Sequence, residues 1–314
     1  MLDRPAREHP RVLILGGPQG SGKSTALPLV QRQLNMTEAV RLDGDDIMAL
    51  HPRFEPYARV HGGLAAARLV APDYRILVAR MLEEVRQAKQ DLVLVGPYTH
   101  PEATFERLDY FRAEGYEAEM AYMAVHPARS ELGVMHRHYQ AMTDGTGYSL
   151  LIPLELQRSV IDGTPRILDA AQVRGTVRAL HAVGRSGVLA STRRQADGSW
   201  TPPIAMSARV EEIRREPWNR ETQARFQQDR ADVAAIQAAD WVERLASVDS
   251  LAVPMLTAAV DGSEPDEELR NVLRLGGLGF GPATRAERSG WSQEGAGGGR
   301  GSEHDRSHSN GLDR

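Results

Sequence analysis

The chain has 314 residues, 41% of them hydrophobic and 25% charged, with a formal net charge of −4 and no cysteine. That composition suits a soluble protein with one sizeable core plus appendages. It carries no basic footprint for nucleic acid or an anionic membrane, and it rules out disulfides and thiolate metal sites. No apolar run approaches the length of a membrane span or a signal-peptide core, so a cytoplasmic location is expected.

The first apolar run, Val12-Leu13-Ile14-Leu15, is short, continuous and followed by glycines, as in a buried strand. Residues 24–34 have helical spacing. Ala39-Val40-Arg41-Leu42 reads as a second strand, and a short helix is expected over residues 46–50 with Asp46 as its N-cap. A helical stripe covers residues 75–89. Leu92-Val93-Leu94-Val95 is a third strand, closed by Gly96-Pro97, and a helix over residues 104–114 stops at Gly115. Residues 118–125 form a fourth strand. Strands alternating with helices imply an α/β fold, a parallel sheet covered by helices on both faces.

Beyond Gly187 the pattern changes. Residues 188–192 and 199–201 flank Asp197-Gly198 as a hairpin, and residues 221–247 read as one long helix. Residues 285–314 are rich in Gly, Ser and charge and are expected to be disordered. The expected organisation is a P-loop domain over residues 1–205, a mainly helical extension over 206–284 and a tail over 285–314.

Between the first strand and the first helix stands Gly17-Pro18-Gln19-Gly20-Ser21-Gly22-Lys23-Ser24, a complete G-x-x-x-x-G-K-[ST] motif in its required context. Backbone N–H groups of such a loop and the following helix N-terminus receive nucleotide phosphates. ATP is the expected cofactor, held by residues 17–24 and Thr25. Lys23 would reach the β- and γ-oxygens, and Ser24 would give its hydroxyl oxygen to Mg²⁺. The motif alone does not distinguish kinases from GTPases or motor ATPases.

Asp43, Asp45 and Asp46 follow the second strand, at the carboxyl edge where open parallel sheets gather ligands. A carboxylate there can take a proton from an acceptor hydroxyl or hold Mg²⁺ through water, and Asp43 is the candidate for the metal. His136 and His138 flank Arg137 on a helix with side chains pointing apart, so no zinc site is read there.

These pieces together resemble the zeta toxin family, kinases that phosphorylate UDP-N-acetylglucosamine. The likeness is carried by the P-loop, by Leu42-Asp43-Gly44-Asp45 followed by His51-Pro52-Arg53-Phe54, and by Val70-Ala71-Pro72. It continues through Gly115-Tyr116-Glu117, Met123-Ala124-Val125, and Leu132-Gly133 leading into Arg137. The resemblance implies that Asp45 is the general base for the sugar's 3′-hydroxyl and that Arg137, from a lid helix, clamps the transferring phosphate. It also implies a small helical antitoxin as a partner.

The departures from the family pattern fall on the acceptor and lid side. A second lid arginine is missing from Gly147-Tyr148-Ser149-Leu150-Leu151-Ile152-Pro153, where Arg158 or Arg129 are the candidates to replace it. A family glutamate falls near Ala79, with Glu83 and Glu84 one turn on, and Val95-Gly96-Pro97 replaces Glu-Gly-Thr. Two alternatives to that acceptor stay open: a kinase for another metabolite or antibiotic, and a nucleotide-binding protein without turnover.

Overall fold

In the computed structural model the described residues are 4–236 and 239–257. They fall within one compact unit, residues 1–267. The expected tail and the end of the expected helical extension, residues 258–314, lie outside the described residues.

In chain order the elements are β1 (Arg11–Gly16), α1 (Lys23–Gln33), β2 (Val40–Asp43), α2 (Gly44–Ala49), α3 (Phe54–His61), α4 (Gly63–Gln87) and β3 (Leu92–Gly96). There follow α5 (Pro101–Arg112), β4 (Glu117–Met123), α6 (Pro127–Thr143), α7 (Leu154–Arg174) and β5 (Ala179–Gly184). The last are β6 (Gly187–Arg194), β7 (Trp200–Thr201), α8 (Met206–Arg215), α9 (Arg220–Ala234) and α10 (Ala239–Thr257).

One seven-stranded sheet runs in the order β2-β3-β1-β4-β5-β6-β7. The first five strands pair in parallel, while β6 and β7 close the edge antiparallel. The expected hairpin therefore extends the sheet and is not a separate piece.

Alternation along β1 explains the layering. Val12 and Ile14 face a large core shared with Phe105, Leu108, Ile167, Leu168 and Met206. Leu13 and Leu15 face a smaller core with Ala26, Leu27 and Val30 of α1. Both sets are fully buried, which is why the strand reads as a continuous apolar run.

Two local expectations are corrected. Helix α4 begins twelve residues earlier than residue 75 and passes through Pro72, which lacks an N–H to give the helix. The first half is held by burial of Ala66 and Val70 against Phe54 and Ala58 of α3. The stretch expected as one helix over 221–247 is two, α9 and α10. Strand β5, which the sequence did not single out, completes the parallel set.

The C-terminal helices add a layer on one end of the sheet: α8 packs on α7 and β5, and α9 and α10 pack on α6. Among the described residues no helix is long and apolar enough to cross a membrane.

Candidate active site

The phosphate loop leaves β1 at its carboxyl end and turns at Gly17, Gly20 and Gly22, whose φ values are 140°, 73° and 91°. Such left-handed positions let successive backbone N–H groups face one concavity. Ser21 is fully buried and donates its Oγ to the Pro18 carbonyl at 2.7 Å, tying the loop from inside. Lys23, at the start of α1, donates Nζ to the carbonyls of Gly17 at 2.8 Å and Pro18 at 2.9 Å.

The loop is also held from behind. Ser130 Oγ of α6 donates to the Gln19 carbonyl at 2.7 Å, and Gln157 Nε2 of α7 donates to the same oxygen at 3.1 Å and to Ser130 Oγ at 3.1 Å. Arg244 of α10 donates to Gln157 Oε1 at 3.1 Å. Ser130 and Gln157 are both 0% exposed. Gly133 lies where α6 crosses the loop: a Cβ there would stand 2.4 Å from the Gly20 carbonyl oxygen. Sequence reasoning missed Ser130 and Gln157, for nothing local marks a buried polar residue in a helix as a brace. Gly133 did leave a signal, a glycine in a helix interior.

Across the loop stand the aspartates. Asp43 ends β2 and is itself the N-cap of α2, its Oδ1 accepting from the Asp45 N–H at 3.2 Å. This corrects the expected cap. The strand runs one residue past Leu42, so the helix starts earlier and Asp46 falls in its first turn, paired with Arg41 at 2.7 Å. Arg41 also donates to Asp43 Oδ2 at 3.0 Å. Asp45 is likewise in the first turn of that helix.

Its carboxyl is pushed above the ordinary aspartate value by desolvation and by Asp43, against the opposing pull of Lys23 and Arg137. The Lys23 ammonium is drawn down to about 8 by burial, partly offset by Asp45 and Asp43. A carboxylate raised in this way is a better proton acceptor near neutral pH than a free one.

Lys23, Ser24, Asp43, Asp45, Asp46 and Arg137 line one cavity of about 300 Å³, together with Gln19, Gly20 and Gly22 of the loop. Of the remaining residues expected to hold nucleotide, Gly17 and Pro18 carry the Lys23 ammonium and Ser21 braces the loop. Thr25 is exposed in the first turn of α1. Among the described residues no group of three or more His, Cys, Asp or Glu could hold a metal unaided. The oxygen donors present, the Ser24 hydroxyl and the Asp43 carboxylate, are the hard ligands that suit Mg²⁺ when nucleotide phosphates complete its shell.

Arg137 projects from α6 between two anchored histidines. His136 Nε2 lies 3.0 Å from Asp232 Oδ2 of α9, and His138 Nδ1 lies 2.7 Å from Ser149 Oγ. The candidates for a second lid arginine are engaged elsewhere. Arg158 pairs with Glu131 at 3.3 Å and donates to Ser247 Oγ at 2.7 Å, and Arg129 lies over the Trp218 ring, 5.9 Å from its centroid. Glu83 is held by Arg86 and by the Tyr110 hydroxyl, outside the cavity.

A second cavity of about 330 Å³ shares Gln19, Lys23, Asp43 and Asp45 with the first and continues along the end of β3. Val95, Gly96, Pro97 and Tyr98 line it from that strand, and Tyr74 lines it from α4. Asp45 and Lys23 thus stand where the two cavities meet.

Comparison with known proteins agrees with this architecture. The family model described as Zeta toxin matches residues 2–196, well over half of the chain, and the chain belongs to the zeta toxin family. Its fold is similar to a structure from the PezAT chromosomal toxin–antitoxin system of Streptococcus pneumoniae, with a TM-score of 0.60 at 14% identity over 74% of this chain and 89% of that one. A looser likeness is to the AvrRxo1-ORF1:-ORF2 complex with ATP, with a TM-score of 0.49 at 15% identity over 77% of this chain and 81% of that one. No curated protein sequence matches the chain.

Proposed function

We propose that this member of the zeta toxin family transfers the γ-phosphate of ATP to a hydroxyl of a small acceptor. The observation that carries the reading is the meeting of Lys23, Asp45 and Arg137 around one cavity beside the phosphate loop. Each supplies a different requirement of phosphoryl transfer: charge at the bridging phosphates, a proton acceptor, and a planar fork for the equatorial oxygens.

The loop N–H groups and the N-terminus of α1 receive the β-phosphate. Lys23 exchanges its two loop carbonyls for β- and γ-oxygens. Ser24 and Asp43 would hold Mg²⁺, which neutralises phosphate charge when bound. As the acceptor oxygen bonds to the γ-phosphorus, its proton passes to the Asp45 carboxylate. The bond from γ-phosphorus to the β-bridging oxygen breaks, and ADP departs with that electron pair. Arg137 and Lys23 stabilise the charge spread over the transferring group.

UDP-N-acetylglucosamine, through its 3′-hydroxyl, is the acceptor that family membership favours. A specific feature favours a second reading, a different hydroxylated metabolite: the wall that would face the acceptor is Val95-Gly96-Pro97 in place of Glu-Gly-Thr. A helical antitoxin is the partner suggested by the family and by the toxin–antitoxin origin of the PezAT structure.

The test is incubation of the full chain with Mg-ATP and UDP-N-acetylglucosamine, alongside other nucleotide sugars, nucleotides and aminoglycosides, read by mass spectrometry. A product heavier by one phosphate is expected from at least one acceptor. Absence of any phosphorylated product despite ATP binding would leave the chain a nucleotide-binding protein without turnover.

A further inference from the structure

The lining of the second cavity carries both charges: Asp43, Asp45 and Lys23, and also Arg107, which belongs to α5. Arg107 is half-buried, and among the described residues no carboxylate comes within ion-pair distance of it. Its neighbour in sequence and helix, Asp109, is taken by Arg112 at 3.4 Å and Arg174 at 2.9 Å.

Arg107 instead meets Tyr98, through a side-chain hydrogen bond and through the face of its ring. Its guanidinium carbon lies 5.9 Å from the centroid of the Tyr98 ring. Its charge also opposes the rise in pKa that burial gives the hydroxyls of Tyr74 and Tyr98, which line the same cavity.

Tyr98 reaches this position at a backbone cost. Its φ is +45°, in the left-handed region that bulky residues rarely enter. The conformation is held by the Tyr122 hydroxyl, which donates to the Tyr98 carbonyl. Tyr122 is itself fully buried in the sheet. A strained residue fixed by the core and aimed into a cavity is a feature of binding sites.

We propose that Arg107 is the specificity-determining residue of the acceptor pocket and binds an anionic group, phosphate or carboxylate, on the acceptor. The acceptor's ring packs on Tyr74 and Tyr98, and its hydroxyl reaches Asp45. This rests on the kinase reading above and adds the residue of this chain that would hold the acceptor's anionic group. A half-buried guanidinium whose polar neighbour is a phenol has lost water without gaining a counter-charge, and a ligand anion supplies that charge bidentately. Asp43 and Asp45 in the same lining offer the anion no partner, while the acceptor hydroxyl finds its proton acceptor in Asp45. A neutral sugar would gain nothing from the guanidinium charge.

The test measures binding to the full chain saturated with Mg-AMP-PNP, by titration calorimetry. The probes are UDP-N-acetylglucosamine, N-acetylglucosamine 1-phosphate, 3-phosphoglycerate and neutral N-acetylglucosamine. At least one anionic probe should bind the parent about tenfold or more tightly than the neutral sugar does. Arg107→Gln should remove about that factor from the anionic probes only, leaving AMP-PNP affinity unchanged and so showing an intact fold. Arg107→Lys should recover part of it, since the charge remains while the fork is lost. A phosphate source and a carboxylate source are separated by which probe responds.

The inference fails if Arg107→Gln leaves the affinity of the anionic probes at the parental level. It fails equally if the neutral sugar binds as well as they do, or if none of them binds the nucleotide-loaded parent. Failure of the parent to bind Mg-AMP-PNP would instead sink the kinase reading, and this inference with it.

Discussion

The two sides of Asp45 are built differently. On the nucleotide side the loop is fixed by hydrogen bonds from α6 and α7, backed by α10, and by a backbone contact at Gly133 too close for any side chain. On the acceptor side the wall is a strand end with Val95, Pro97 and a strained Tyr98, faced by Tyr74 and by a guanidinium that has no carboxylate partner among the described residues. Phosphates are the same for every user of ATP, so their cradle can be rigid and recognisable. Acceptors differ, and the pocket that takes them can change while the cradle stays. The difference explains why the motif announced the cradle, while the departures from the family pattern fell on the acceptor wall and the lid.

Substitutions can break that contrast. The largest effect is expected at Lys23. Lys23→Ala removes the charge that faces the phosphates and should lower ATP affinity or turnover by about 10²-fold or more, measured by nucleotide titration and phosphotransfer. Survival of both would remove the nucleotide side from the account.

Next is Gly133→Ala. The new methyl would meet the Gly20 carbonyl backbone, which has no flexible side chain to yield. A loss of about 1–3 kcal/mol in denaturant unfolding is expected, with weaker ATP binding and an unchanged acceptor pocket. Near-parental values would show that the loop is not held rigidly from behind.

A smaller effect separates two aspartates. Asp43→Ala removes the cap of α2 and its pairing with Arg41, and should cost about 1 kcal/mol of stability. Asp46→Asn, in an exposed pair, should cost less.

The last is a titration, graded with pH. The Lys23 ammonium, lowered to about 8, is charged below that pH and neutral above it. ATP affinity should be flat below about pH 7 and fall by up to about tenfold per pH unit above 8, because binding must then take up a proton. The Lys23→Ala protein should lose that slope.

Much of this was legible beforehand, for identifiable reasons. The strands β1 and β3 are continuous apolar runs of the length a doubly covered strand needs, and the P-loop sits between strand and helix as its chemistry requires. Asp45 and Arg137 were found through family likeness and lie beside Lys23 in the structure. What escaped depends on distant contacts. β5 carries His181 in mid-strand, which breaks the apolar pattern; it is accommodated because Glu119 and Ser191, from neighbouring strands, pair with it at 3.1 Å and 2.7 Å. Pro72 argues locally against a helix that α3 packing sustains. The break between α9 and α10 has no glycine or proline to mark it. Arg107 lies eight positions beyond Thr99 on the next helix, and only the fold shows that it shares a cavity with Asp45.

The most direct test asks whether the two halves meet in chemistry at Asp45. Asp45→Asn keeps the shape and removes the basicity. With Mg-ATP and whichever acceptor the mass-spectrometric panel identifies, nucleotide affinity and phosphotransfer rate are measured on the same preparation. The expected result is ATP affinity within a few-fold of the parent and a transfer rate lower by ~10²-fold or more. A near-parental transfer rate in Asp45→Asn would contradict the account.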